Sequence, residues 1–460
     1  MGLHRNALAC AIVLPALAAV VLSAATPVLA VPRGPSSGPA FPLKVSTNNR
    51  YLVDQNNVPF LLVGDSPQAM IGNISEDDAA FFMQDRAQYG INALWINLLC
   101  DSYTACNADG TTYDGIAPFT TPNDLSTPNP AYFDRAADMI NLAAAQGMVV
   151  LLDPIETGGW LGVLDQNGIR KARAYGRFLG RRFRNYPNIV WQSGNDFQSW
   201  QDPSQDALVS AVADGIRDAD PIHLQTIELN YYVSASMDDP TWRPIVGLDA
   251  VYTYRPTYAK ELEEYTRGNV RPTFLVEANY EFEHNGGTDG GSTENLRHQE
   301  YWSALSGTAG QLYGSAYSWR LQGDWKDNLD TIGIRQLAYA RQLFATRNWY
   351  NLVPDRAHAV LIRGFGKFSK SDSIDTDTYA TAASTPDGTL AMAYLPNLRR
   401  VTIDMSKLSG PVTAQWFDPT SGNFAVVSGS PFPNSGSREF IPSGRDTAGD
   451  GDWVLVLEVE

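Results

Sequence analysis

Two acidic residues stand where a chain can do acid–base work. Asn188-Ile189-Val190-Trp191-Gln192-Ser193-Gly194-Asn195-Asp196 is an apolar, β-favouring run that breaks into a Gly-Asn-Asp turn. A buried parallel strand has this form where it ends in a polar cleft, so the run puts the Asp196 carboxylate at a strand's C-terminal tip. Thr273-Phe274-Leu275-Val276-Glu277-Ala278-Asn279-Tyr280 repeats the design with Glu277 at the tip. Two carboxylates facing each other suit cleavage of a glycosidic bond: one gives a proton to the leaving oxygen, the other stabilises or traps the oxocarbenium-like centre. In retaining chemistry the two groups stand about 5 to 5.5 Å apart, a span that the fourth and seventh strand tips of a barrel supply. Aspartate is one methylene shorter than glutamate, and a wider gap favours inversion; we read the pair as retaining. The competing reading is that each residue only anchors a loop.

Other strand-tip residues are candidates for holding sugar hydroxyls. Asp65, Asn97, Asp153, Asn195 and Tyr254 each follow a predicted strand, and Trp319 ends the eighth, where its ring offers a stacking face. Tyr280, Glu281 and Arg320 are secondary candidates. Each has a structural alternative as a loop anchor.

The elements that must position these residues alternate strand and helix. Phe60–Asp65, Ala93–Asn97 and Val149–Asp153 are predicted as the first three strands, and the run into Asp196 as the fourth. Leu224–Glu228, Ala250–Tyr254, Phe274–Glu277 and Leu312–Trp319 follow. Helices are predicted between most of them: Glu76 to Tyr89 behind the N-cap Ser75, one capped by Asn129 and opened by Pro130, then Ser204–Ala219 and Thr293–Leu305. A helix carrying Arg170, Lys171, Arg173, Arg177, Arg181, Arg182 and Arg184 reads as a solvated outer helix, because Ala172, Phe178 and Leu179 give it an inward face. This is the pattern of an α/β (β/α)8 TIM barrel, expected over residues 43–354. A doubly wound open sheet is the alternative, and it lacks a Gly-rich phosphate loop after the first strand. From residue 355 to 460 the helical period disappears. Short alternating runs such as Leu390–Leu395 and Trp453–Leu457, separated by Pro386-Asp387-Gly388 and Pro419-Thr420-Ser421-Gly422, predict a C-terminal all-β sandwich.

The first 30 residues read as a secretory signal peptide, with His4 and Arg5 before an apolar run and Val28-Leu29-Ala30 before the cleavage point. Pro15 and Pro27 break the run, which is short for a bilayer span. Residues 31–42 form a Pro/Gly/Ser linker, and Leu43–Val53 a small hairpin suited to plugging the barrel's bottom. Secretion is therefore expected, with no membrane association after the signal is removed. Without the signal the charge is 33 basic minus 50 acidic residues, or −17, which repels phosphate backbones and argues against nucleic acid. Cys100 and Cys106 remain, and their closeness in a loop of an exported chain predicts a local disulfide. Four histidines remain with no His-x-x-x-His pair, which argues against zinc. The acidic turns at Asn107–Gly110 and Asp446–Asp452 do not fit the EF-hand spacing. We expect no metal and no cofactor.

The chain resembles the apiosidase-like glycoside hydrolases, whose usual companion is a C-terminal β domain labelled collagen-binding. The resemblance covers roughly residues 43 to 460. It rests on Pro59–Asp65, Asn188–Asp196, Glu277 with Tyr280-Glu281, Trp349-Tyr350-Asn351-Leu352-Val353-Pro354 and the closing Asp452–Leu457. The family commonly shows Gly-Gly-Asp where this chain has Gly194-Asn195-Asp196, and an Asp-Thr-Ala-Trp-like stretch where it has Asp65-Ser66-Pro67-Gln68. The resemblance implies Asp196 as general acid/base and Glu277 as nucleophile. It also implies a carbohydrate substrate with a furanosidic linkage, such as apiose or arabinofuranose in a wall polysaccharide. The alternatives are an endo-glycosidase on a pyranose glycan and a non-catalytic secreted protein that binds polysaccharide or matrix.

Overall fold

The computed structural model describes residues 38–229, 232–285 and 289–459; the predicted signal peptide lies outside them. Eight parallel strands carry the main sheet: β1 (Leu62–Asp65), β2 (Ala93–Asn97), β3 (Val149–Asp153), β4 (Ile189–Ser193), β5 (Gln225–Ile227), β6 (Asp249–Thr253), β7 (Thr273–Glu277) and β8 (Gly310–Tyr313). The ladder runs β5-β4-β3-β2-β1-β8-β7-β6, so β8 closes back onto β1, with Tyr313 beside Asp65. The seam falls between β5 and β6. There a short antiparallel strand, Val233–Ala235, pairs with β6, and the Ser236 hydroxyl donates to Ile227 O (2.5 Å) while accepting from Ala250 N (2.9 Å). One side chain thus satisfies backbone groups on both sides of the gap.

The β-period decides what faces the axis. Leu62, Trp95, Leu151, Val190, Ala250, Phe274, Val276 and Leu312 fill the interior, and Leu43, Leu52 and Phe60 close its lower end. Leu52 and Phe60 lie in, and Leu43 just before, a small antiparallel sheet of Lys44–Val45, Leu52–Val53 and Pro59–Phe60, so the expected plug is present with one strand more than a hairpin. Towards the strands' C-terminal ends the buried positions turn polar, with Asn97, Asp153, Gln192, Glu228 and Glu277.

Outside lie α1 (Glu76–Gln88), α2 (Pro130–Ala145), α3 (Thr157–Phe183), α4 (Pro203–Ala219), α5 (Thr257–Tyr265), α6 (Thr293–Leu305) and α7 (Ile332–Ala345). Ser75 caps α1 through Asp78 N, and Asn129 caps α2 through Ala131 N, as their types require. The arginine-rich helix is the second half of α3, beyond a break at Gly168 (φ 69°). Its Arg173 and Arg177 pair with Asp218 of α4, and Gly176 and Gly215 let the two backbones touch: a Cβ on either would lie 2.1 Å from a carbonyl oxygen. No helix links β5 to β6, where the described residues form the short strand and a 3-10 turn. The eighth strand ends at Tyr313, so Trp319 lies in the following loop instead of at a strand tip. Ser315 and Ser318 there each accept from the other's backbone N–H at 3.0 Å, a turn that outcompetes the apolar run.

The C-terminal sandwich pairs a six-stranded sheet with a three-stranded one. The central strands of the larger are Leu390–Leu395, Trp453–Val459 and Val412–Phe417. Val353–Pro354 already belongs to this sheet, paired with Thr381–Ser384.

Candidate active site

The turn after β4 aims Asp196 inward. Gly194, Asn195 and Asp196 all take positive φ, at 116°, 69° and 54°. A Cβ on Gly194 would sit 2.1 Å from Glu228 O, so β4 and β5 approach too closely for any other residue. Asn195 and Asp196 are of the types that tolerate the left-handed region best, at roughly 1 to 2 kcal/mol each. The Thr157 hydroxyl at the start of α3 donates to Gly194 O (2.7 Å) and Asn195 O (2.9 Å), holding the turn. The Asn195 side chain turns down to accept from Asn97 Nδ2 at 3.1 Å.

Glu277 reaches the same space through an irregularity in β7. Val251 pairs with Leu275 but Tyr252 pairs with Glu277, so Val276 is an extra residue, and the bulge lets both Val276 and Glu277 face inward. Tyr252 and Tyr254 donate to Glu277 Oε1 at 2.9 and 2.6 Å, and Tyr280 donates to Oε2 at 3.0 Å. The three hydroxyls fix the carboxylate and favour its charged form. Burial, the largest influence, and then the Asp196 charge oppose them, and the Glu277 carboxyl is pushed up to about 8.

A third carboxyl group completes the cluster. Asp196, Glu228 and Glu277 each place a carboxylate oxygen within 4.8 Å of the others. Glu228 follows β5 and is fully buried, and neither of its oxygens has a side-chain partner. Burial, then Glu277 and Asp196, push it well above the usual carboxylate range. Of the three it has the least help towards ionisation. Two more buried acids lie beneath. Asp153 is raised by burial alone, and Glu156 is pushed up to about 9, chiefly by burial, against hydrogen bonding from Thr104.

The Cys100–Cys106 disulfide forms, and it holds a functional loop. Within it the Tyr103 hydroxyl donates to Asp196 Oδ2 at 2.7 Å. Gly158 leaves room for the Tyr103 ring and Gly159 for the Asp101 carboxylate, since a Cβ on either would lie within 2.3 Å of them. Asp196 is raised mainly by burial, with Tyr103 and Tyr252 pulling it back down.

The structure therefore brings together Asp196, Glu277, Tyr254 and Tyr280, with Asn97 and Asn195 below. Trp319 sits half-buried on the rim; its Nε1 donates to Glu283 at 2.7 Å, and Glu283 accepts from Asn285 beside Tyr254. Asp65 is fully occupied: Oδ2 pairs with buried Arg86 at 2.5 Å, and Oδ1 accepts from Ser66 N and Ser318 Oγ. It is a brace between β1, α1 and the last loop and has no oxygen free for a sugar. Glu281 is likewise spent on Tyr313, Thr331 and Gly333 N. Sequence reasoning missed Glu228, Tyr252, Tyr103 and Glu156. Glu228 carried a weaker form of the Asp196 signal, an acid closing a predicted strand, Leu224-Gln225-Thr226-Ile227, in which polar residues interrupt the apolar ones.

Barrel, plug and acidic mouth fit a glycoside hydrolase. Two solved structures share the architecture: one described as a glycoside hydrolase, at 21% identity over 91% of this chain and 97% of its own with a TM-score of 0.77. The other, a family 5 glycoside hydrolase from Bacteroides vulgatus ATCC 8482, also matches at 21% identity and a TM-score of 0.77, over 91% of this chain and 93% of its own. Residues 46–351 match the model of the apiosidase-like catalytic domain, and the chain belongs to that family. Residues 370–458 match a family model described as "Putative collagen-binding domain of a collagenase". No curated protein matches the chain.

Proposed function

We propose that the protein is a secreted, retaining furanosidase that removes apiose- or arabinofuranose-like sugars from a wall polysaccharide. The observation that carries this reading is the pairing of Glu277, held by three tyrosine hydroxyls, with Asp196, hydrogen-bonded by Tyr103 of the disulfide loop, oxygen to oxygen within 4.8 Å. Inverting pairs stand about 6.5 to 9.5 Å apart to admit a water between them. The family membership supports the furanosidic substrate.

Asp196, protonated, gives its proton to the leaving oxygen as the glycosidic bond breaks. Glu277 attacks the anomeric carbon and forms a glycosyl ester. Asp196, now ionised, takes a proton from a water that attacks the same carbon, and Glu277 leaves as carboxylate. Protonated Glu228 keeps total charge low enough for Glu277 to ionise, and its O–H can donate to a sugar hydroxyl.

The test is sugar release from furanose-bearing and pyranose polysaccharides by residues 31–460, compared with Glu277→Gln and Asp196→Asn. Both variants should fold, and Glu277→Gln should lose roughly a thousandfold or more in rate. The first-formed product, followed by NMR, should keep the substrate's anomeric configuration. Polymer binding without release by the wild type would replace this reading with a binding protein. Release of the opposite anomer would leave a hydrolase but overturn retention.

A further inference from the structure

Trp349, Tyr350 and Asn351 take no part in the carboxylate cluster, yet all three line one cleft at the plugged end of the barrel. The cleft measures about 110 Å3, lies between the plug, the end of α5 and the loop after α6, and reaches the Pro386 turn of the sandwich. A single water needs about 10 to 15 Å3 of such space, so the cleft has room for a sugar ring. Tyr51, Tyr265, Trp349 and Tyr350 are its aromatic walls, each half-buried. Tyr51 meets Trp349 at 70° and Trp349 meets Tyr350 at 88°, with ring centroids 6.0 Å apart in both pairs. An edge-to-face contact covers one face of one ring, so the cluster keeps faces open to the cleft. Polar groups stand beside them. Arg50 is fixed over Tyr265: its Nη1 donates to Tyr265 O at 2.6 Å, and the guanidinium carbon lies 3.8 Å from the ring centroid. The Tyr51 and Tyr265 hydroxyls, Trp349 Nε1 and the Asn351 amide have no hydrogen-bond partner among the described residues. No aspartate or glutamate among the described residues lines the cleft.

We propose that this cleft is a glycan-holding site, separate from the carboxylate cluster, that takes one sugar residue of a polysaccharide chain. A sugar ring is apolar on its C–H face and hydroxylated at its edge, which is the division the cleft presents. The C–H face lies on the aromatic walls, and the hydroxyls accept from Arg50, Trp349 Nε1 and the Asn351 amide and donate to the Asn351 carbonyl oxygen. A metal ion finds no carboxylate here, and a purely apolar ligand leaves every one of these polar groups unanswered. With no acidic pair to move a proton, the cleft holds a sugar without cutting it. Its work is to keep polymer on the protein while the carboxylates at the other end of the barrel act.

Affinity electrophoresis of the full mature chain tests it, with Glu277→Gln as the parent so that polymers stay intact, in gels holding arabinan, xylan, galactomannan or polygalacturonate. Retardation in at least one gel is expected, and the gel that retards names the glycan. Asn351→Trp, added to the parent at an exposed position, fills the cleft and should abolish the retardation while the melting midpoint stays that of the parent. Trp349→Leu, which removes one wall, should raise the polymer concentration for half retardation fivefold or more. The site is overturned if no gel retards the parent, or if Asn351→Trp is retarded as strongly as the parent, which would put the binding at the carboxylate mouth. Either failure leaves sugar release by the wild type as a separate question, because release rests on Asp196 and Glu277 and not on this cleft.

Discussion

Glu277 is pulled in two directions, and the balance fixes its working pH. Burial and the charge of Asp196 raise its pKa to about 8, while the hydroxyls of Tyr254, Tyr252 and Tyr280 lower it. As the proposed nucleophile Glu277 must be ionised, so activity should fall as pH drops through its value, well above the usual carboxylate range. Tyr254→Phe removes a donor to the charged form, so the acidic limb of the kcat/KM profile should move to higher pH by about half to one unit. Asp196→Asn removes the like charge and should move the limb the other way, measured on a substrate whose leaving group needs no proton. An acidic limb that stays put in both variants would show that another group governs it. These limbs belong to the coupled cluster and not to one residue, so Glu228→Gln should move them too.

The strands were legible because a buried parallel strand is a short apolar run with turn residues after it. β2 and β3 fall where that rule puts them, and it singles out Asp196 and Glu277 because they end such runs. The rule fails where side-chain hydroxyls build a competing turn, as Ser315 and Ser318 do after β8, and no strand pattern announces the bulge that turns Glu277 inward. Tyr103 was invisible for another reason: it reaches Asp196 only because a covalent loop brings it there. That dependence is testable. The double variant Cys100→Ser, Cys106→Ser should lose about 2 kcal/mol of stability by the loop-entropy relation. It should also share the pH profile of Tyr103→Phe, with the alkaline limb raised, because Tyr103 normally lowers the Asp196 pKa. Equal destabilisation with an unmoved alkaline limb would show that the loop holds the fold and does not position the tyrosine.

Across the whole molecule, barrel and sandwich share one core. Tyr258, Tyr301, Trp302, Leu343 and Phe344 from α5, α6 and α7 pack with Ile374, Met392, Tyr394 and Val456 from the sandwich. At its centre Arg297 of α6, fully buried, donates to both oxygens of Asp452 at 2.9 and 2.8 Å, to Asp450 at 2.7 Å and to Gln336 at 2.9 Å. Tyr394 adds a bond to Asp452 at 3.1 Å. A contact of this kind makes the sandwich a brace for the helices behind β6, β7 and β8, and so for Glu277 on β7. Removing one partner of a buried pair strands the other's charge, a loss of about 3 to 5 kcal/mol. Arg297→Met should therefore lower the midpoint of a single unfolding transition, with sugar release and the fluorescence of tryptophans in both domains lost together. If the sandwich melted first and release continued, the two domains would be separate cooperative units. The C-terminal domain would then need a role other than bracing the barrel.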